Sequence, residues 1–209
     1  LTWDGSAETN GSFNITGGAG ADSITSGSGN DSISGGADND TLVFGVNLTS
    51  SDTVDGGSGT GDILTFTDGN SASDDLNRVT NVETITLGNA DTNVTSVDTL
   101  VADGATLTVD GSALTGANNL TWDGSAELDG SFQITGSDQG DNITGGADAD
   151  TIIGGTGGDT ISGSGGSDSI TSGSGNDSIS GGAANDTLVF GVNLTSSDTV
   201  DGGSGTGDI

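Results

Sequence analysis

Nine aspartates occur at a fixed spacing that suits the binding of a hard cation. Six stand nine residues apart, at Asp141, Asp150, Asp159, Asp168, Asp177 and Asp186, and three more, Asp22, Asp31 and Asp40, keep the same interval. Two residues after each comes a large aliphatic: Ile143, Ile152, Ile161, Ile170, Ile179 and Leu188 in the longer set, and Ile24, Ile33 and Leu42 in the shorter. The residues before each aspartate are rich in glycine, which takes positive φ in tight turns and brings main-chain carbonyls close to a ligand. Carboxylate and carbonyl oxygens together favour calcium, which accepts six to eight oxygens in flexible geometry, over magnesium, which prefers to keep its waters. The chain has no Cys and no His, so zinc, copper and iron–sulfur centres lose their usual ligands.

Such ladders need a backbone that repeats every nine residues. The unit Gly154-Gly-Thr-Gly-Gly-Asp159-Thr-Ile161-Ser is a glycine-rich turn followed by three residues suited to a short strand, Ile inward and hydroxyls outward. Turn, strand, turn, strand gives 18 residues per coil. The units run without insertion over 136–189 and over 17–43. Burying two aliphatic side chains per coil returns far less than ordering 18 residues costs, and rows of aspartate repel one another. A cation bound between coils answers both deficits, because its binding free energy becomes folding free energy.

These units resemble the RTX nonapeptide, Gly-Gly-x-Gly-x-Asp-x-aliphatic-x, of calcium-binding β-rolls. The resemblance implies an ion between stacked turns, clamping unit n to unit n+2. That gives about four complete sites in the longer array, at Asp141/Asp159, Asp150/Asp168, Asp159/Asp177 and Asp168/Asp186, and one, Asp22/Asp40, in the shorter. It also implies carbonyl ligands from the glycine-rich part of each unit. The metal ligands expected on this basis are all nine aspartates.

Flanking segments depart from the pattern in ordered ways. The nine residues 8–16 keep Ile15 but place Phe13 where Asp would stand, and Phe132 and Ile134 repeat this, so both read as cap coils. After the first array Asp52 regains the nonapeptide place, whereas Asp62 comes one residue late; these two, with Asp198 and Asp208, are either further ligands or ordinary turn aspartates. Residues 22–63 recur at 168–209 with one difference, Asp38 against Ala184, at an offset of 146. Residues 1–6 recur at 120–125, an offset of 119. The offsets differ by 27, three whole nonapeptides, as a modular coil tolerates. The chain thus reads as a fragment of a longer tandem repeat.

Between the arrays the pattern turns to period-two strands at Ile63–Thr67, Val82–Leu87, Ala105–Val109 and Leu120–Trp122. Asp-Gly, Gly-Asn and Asp-Gly-Ser turns and a short helical turn over Asp74–Arg78 separate them. Wider β coils stacked in line with the arrays are the preferred reading; a small separate β sandwich is the alternative. The expected organisation is all-β: residues 1–63 a cap coil and first β-roll, 64–126 a β-rich spacer, 127–209 a cap coil and second β-roll. Trp3, Trp122, Phe13, Phe44, Phe66, Phe132 and Phe190 read as core anchors rather than a sugar-binding platform.

Composition bounds the function. Thirty-one acidic residues against a single basic one, Arg78, give a net charge of −30, which argues against nucleic acid and anionic membrane as partners. No apolar run approaches the length of a membrane span. With no His, Cys, Lys or Tyr, and with aspartates arrayed as a lattice rather than converging in a cleft, no enzymatic activity is expected. A flat hydroxyl array for ice or mineral is disfavoured by the mixture of Ser, Thr, Val and Ile. Near-identical tandem copies point to a calcium-folded structural segment of a secreted bacterial surface layer, extracellular filament or adhesin, with calcium as its ligand and self-association into a filament or lattice. For such chains the resemblance implies type I export unfolded and folding in calcium outside the cell. The alternative is the secretion and folding module of an exported enzyme or cytolysin.

Overall fold

The computed structural model describes residues 1–68, 73–190 and 192–209. Its described part is all-β, with parallel strands stacked as a solenoid of about nine turns. One face is a continuous ten-stranded parallel sheet: β1 (Thr2–Asp4), β3 (Ser23–Thr25), β5 (Thr41–Gly45), β7 (Ile63–Phe66), β9 (Thr84–Leu87), β11 (Thr106–Asp110), β13 (Ser131–Thr135), β15 (Thr151–Thr156), β17 (Ser169–Ser174) and β19 (Thr187–Val189). The opposite face is two sheets. The first pairs β2 (Asn14–Ala19), β4 (Ser32–Ala37), β6 (Thr53–Ser58) and β8 (Val79–Thr80). The second pairs β10 (Thr92–Thr95), β12 (Leu120–Asp123), β14 (Asn142–Thr144), β16 (Thr160–Ser164), β18 (Ser178–Gly182) and β20 (Thr199–Gly203).

Register follows the sequence period. In the second array Thr151 pairs with Ser169 and Ser169 with Thr187, each step one 18-residue coil, so Ile134, Ile152, Ile170 and Leu188 form one inward row. Ile143, Ile161, Ile179 and Val200 form the facing row. Ile143, Ile152, Ile161, Ile170 and Ile179 are buried, while the hydroxyl residues beside them lie outward. An inward aliphatic every ninth residue is what lets identical coils stack without a shift in the core.

The spacer stacks in line. β7, β9, β11 and β13 pair in parallel, Leu64 against Ile85, Ile85 against Val109 and Val109 against Ile134, so the wider-coil reading holds. These coils bury a large apolar core that includes Leu64, Phe66, Ile85, Leu107, Leu120 and Trp122. Two strands were not legible, β8 and β10. β8 is only two residues long, and β10, Thr-Asn-Val-Thr, buries a threonine and a valine and begins the second sheet. Asp74–Arg78 forms turns, in which Asn77 N–H donates to Asp74 O and Val79 N–H to Leu76 O, rather than a helix. The Asp-Gly turn at Gly69 lies outside the described residues.

Trp122, Phe44, Phe66 and Phe132 are buried core anchors, and Trp122 meets Phe132 edge to face at 5.5 Å. Trp3 keeps the same edge contact with Phe13 at 5.8 Å but is 41% exposed in the first coil. No helix among the described residues is long and apolar enough to cross a membrane.

Candidate metal centres

Each array turn places its aspartate at the end of the glycine run, immediately before the inward aliphatic. That position points the carboxylate along the stack, where it meets the preceding coil on the same side. Asp22 N–H donates to Asp40 Oδ1 at 2.7 Å, Asp141 N–H to Asp159 Oδ1 at 2.9 Å and Asp150 N–H to Asp168 Oδ1 at 2.8 Å. Asp159 N–H donates to Asp177 Oδ1 at 3.1 Å and Asp168 N–H to Asp186 Oδ1 at 2.9 Å. The structure therefore brings together all five n to n+2 pairs read from the spacing. Asp31 meets Asp52 in the same way, through its N–H to Asp52 Oδ1 at 2.7 Å. The cap residues feed the ladder too, Phe13 N–H donating to Asp31 and Phe132 N–H to Asp150.

The second carboxylate oxygen tells more. Oδ2 of Asp22, Asp40, Asp159, Asp168 and Asp186 is buried and has no hydrogen-bond partner. A buried charged oxygen left unpaired is costly, and all of these recur on one structural place. Three of the other four are answered within the chain: Ser137 N–H donates to Asp141 Oδ2, Gly146 N–H to Asp150 Oδ2, and Ser26 Oγ–H to Asp31 Oδ2.

The glycine at the first place of seven of the nine units, with Ser26 and Ser172 in the other two, shows where the free oxygens point. A side chain built on Gly17 would collide with Asp22 Oδ2 and with the carbonyl oxygen of Gly35, one coil on. The same pairing recurs at Gly154, with Asp159 Oδ2 and the Ser172 carbonyl, and at Gly163, with Asp168 Oδ2 and the Gly181 carbonyl. Carboxylate from one coil and carbonyl from the next thus converge, with glycine between them because a Cβ would fill the space. Oxygen-only donors from two coils, carrying net negative charge, fit a hard divalent cation of calcium's kind.

Electrostatics agree with that fit. Burial, with repulsion from Asp141 and Asp177 added, outweighs the Asp141 amide and pushes Asp159 up to about 7. Asp168 is raised to about 7 by burial and by Asp150 and Asp186, and Asp150 to about 6 by burial and by Asp148 and Glu127. The one side-chain cation, Arg78, is exposed and lies in the spacer. A bound divalent ion would remove both causes, dehydration without coordination and like-charge repulsion.

Asp52 and Asp198, like Asp31, Asp141 and Asp150, have both carboxylate oxygens hydrogen-bonded, and in this they differ from Asp22, Asp40, Asp159, Asp168 and Asp186. Asp52 Oδ1 accepts Asp31 N–H, and its Oδ2 accepts Thr49 N–H at 2.7 Å, so both oxygens are used within the chain. Asp198 likewise accepts Asp177 N–H at 2.8 Å on Oδ1 and Thr195 N–H at 2.5 Å on Oδ2. One carboxylate group escaped the sequence reading because it has no period: Asp98, Glu127 and Asp129, from adjoining turns, bring oxygens within 4.8 Å of one another. The oxygens of buried Glu127 already accept N–H groups of Val101, Asp129 and Gly130, which gives it a structural task in the cap coil.

No curated protein and no solved structure matches the chain. Residues 14–45, 135–170 and 162–192 match the model of the RTX calcium-binding nonapeptide repeat, spanning both arrays and reaching into both cap coils. Geometry and family model meet on the same turns, and the two arrays of this chain are RTX calcium-binding nonapeptide repeats.

Proposed function

We propose that the chain is a calcium-folded structural segment of a secreted bacterial surface layer, extracellular filament or adhesin stalk. The observation that carries this reading is the in-line stacking of two near-identical array segments with the spacer, along one ten-stranded sheet. A stack continued by whole-coil steps makes a rod, and tandem copies of it make a longer one. In this proposal Asp22, Asp31, Asp40, Asp141, Asp150, Asp159, Asp168, Asp177 and Asp186 ligate calcium. Residues 1–63 and 127–209 are then the ion-dependent parts and 64–126 the part that keeps its shape without ions.

When bound, calcium supplies positive charge and coordination between coils. The protein's own residues do the rest: Oδ1 of each aspartate from Asp31 onward fixes the spacing to the preceding coil through an amide, Oδ2 and the turn carbonyls present oxygens, and the glycines at the first place of seven units keep the space open. The net charge of −30 would also let calcium screen and bridge neighbouring rods, which supports self-association outside the cell, where the ion is abundant.

Small-angle scattering and sedimentation of the 209-residue chain, in chelator and in millimolar calcium, test the proposal. The expected result is an expanded chain in chelator and an elongated rod in calcium that associates as concentration rises. A compact, strictly monomeric particle under both conditions would defeat it.

A further inference from the structure

We propose that the ion row of the first array continues one coil beyond its last nonapeptide, at a calcium seat centred on Asp62 and completed by the main-chain oxygen of Asp38 and the carboxylate of Glu83. This rests on the calcium reading of the arrays for the identity of the ion. Asp62 and Glu83 lie outside the residues that match the repeat model, and Asp62 is one residue out of the nine-residue step.

Asp62 is fully buried. Its Oδ1 accepts Asp40 N–H at 2.7 Å, while its Oδ2 has no hydrogen-bond partner, the state found at Asp22, Asp159 and Asp168. The free oxygen faces a defined space. The place a side chain on Gly59 would take lies 2.6 Å from Asp62 Oδ2, 2.8 Å from Asp62 Oδ1 and 2.8 Å from the carbonyl oxygen of Asp38. Both carboxylate oxygens of Asp62 and the Asp38 carbonyl oxygen thus crowd the same side of Gly59 as a cradle, close enough together for one calcium ion beside that glycine to reach oxygens from both coils. From the following coil Glu83 accepts Asp62 N–H on Oε2 at 2.8 Å and sets a second carboxylate beside the first. Burial raises the Asp62 carboxyl above its ordinary value, with the charge of Glu83 adding to it and the amides of Asp40 and Gly59 opposing it.

The extra residue between Gly56 and Asp62 is what moves Asp62 off the motif while leaving it in the row. Asp52, which does stand on the motif, has both oxygens hydrogen-bonded within the chain, so it lacks the free Oδ2 that Asp62 keeps. The second copy repeats the cradle: a side chain on Gly205 would meet Oδ1 of Asp208 and the carbonyl of Ala184. Ala184 replaces Asp38, so it is the main-chain oxygen, not the side chain, that the arrangement keeps. Asp38 and Ala184 both hold positive φ, 69° and 75°, which turns that carbonyl.

The test is the number of calcium ions bound per chain, by equilibrium dialysis and calorimetry on the 209-residue protein, for the parent and for Asp62→Asn, Gly59→Ala and Asp52→Asn. Gly59 does not hold a left-handed conformation, so alanine there suits the local φ and keeps every charge, while its Cβ, 2.8 Å from the Asp38 carbonyl oxygen and 2.6 Å from Asp62 Oδ2, pushes the oxygens of the cradle apart. Asp62→Asn and Gly59→Ala should each bind one ion fewer than the parent, Asp52→Asn the same number, and all should keep the calcium-induced circular dichroism change of the arrays. If Asp62→Asn does not fold, Gly59→Ala decides. Full stoichiometry in Gly59→Ala and Asp62→Asn overturns the seat while leaving the arrays as calcium sites. A parent that binds no calcium would overturn the array reading instead, and the seat with it.

Discussion

Between Thr151 and Val189 each half-coil sends one aliphatic inward and buries one aspartate beside it, whereas between Ile63 and Trp122 each coil buries several large apolar side chains. Both regions share one parallel sheet, so the backbone ladder does not distinguish them. The interior does. A spacer coil takes 21 to 28 residues to return to register, room enough for leucine, phenylalanine and tryptophan to fill a core. An array coil takes 18, and its thin interior leaves the carboxylates to be answered from outside the chain. In the proposed function, hydrophobic burial holds one region and calcium coordination the other.

Chelation should break the molecule along this line, and this is the largest effect expected. With calcium removed, amides of 136–189 should lose hydrogen-exchange protection by about 100-fold or more, while those of 79–123 keep theirs. Uniform loss across both regions would show that the spacer has no independent stability.

Paired substitutions sharpen the contrast. Leu107→Ala in the spacer should cost about 3 kcal/mol in denaturant unfolding, as a fully buried leucine does, and leave the calcium midpoint of the arrays in place. Asp168→Asn removes a proposed ligand shared by the pairs with Asp150 and Asp186 and should raise that midpoint about tenfold, roughly 1.4 kcal/mol, with little effect on the spacer.

Acidity should act on the arrays alone, in a fixed direction. Asp159 and Asp168 stand at about 7 in the folded, ion-free chain against 3.8 when unfolded, so the folded form holds more protons between those values. Their contribution to the ion-free fold is complete below about pH 4 and is lost as pH rises through about 7. In chelator, array strand content should therefore grow on acidification from pH 8 to pH 5, and calcium affinity should rise over the same range in reverse. Circular dichroism and calorimetry at stepped pH check both.

The smallest expected effect concerns one turn. Ala184 holds φ of 75° where glycine commonly stands, so Ala184→Gly should stabilise the calcium-loaded second array by about 1 kcal/mol in thermal unfolding.

The arrays were legible because two ladders of one period carry both the inward row and the acidic row, and the n to n+2 pairs follow from two units per coil. The spacer was legible in kind but not in detail, since a two-residue strand such as Val79–Thr80 has no period of its own to read. Nor could spacing separate Asp52 from Asp62. Asp52 keeps the motif and spends both oxygens on Asp31 and Thr49, while Asp62 misses it and keeps one free. That distinction depends on how a loop closes, which period alone does not encode.

The most direct test of the account is a calcium titration of the 209-residue chain followed by far-ultraviolet circular dichroism, with magnesium at equal ionic strength beside it. The account predicts partial strand content in chelator, from the spacer, and a cooperative gain of the remainder that calcium induces and magnesium does not. Full strand content in chelator, or an equal response to magnesium, would contradict it.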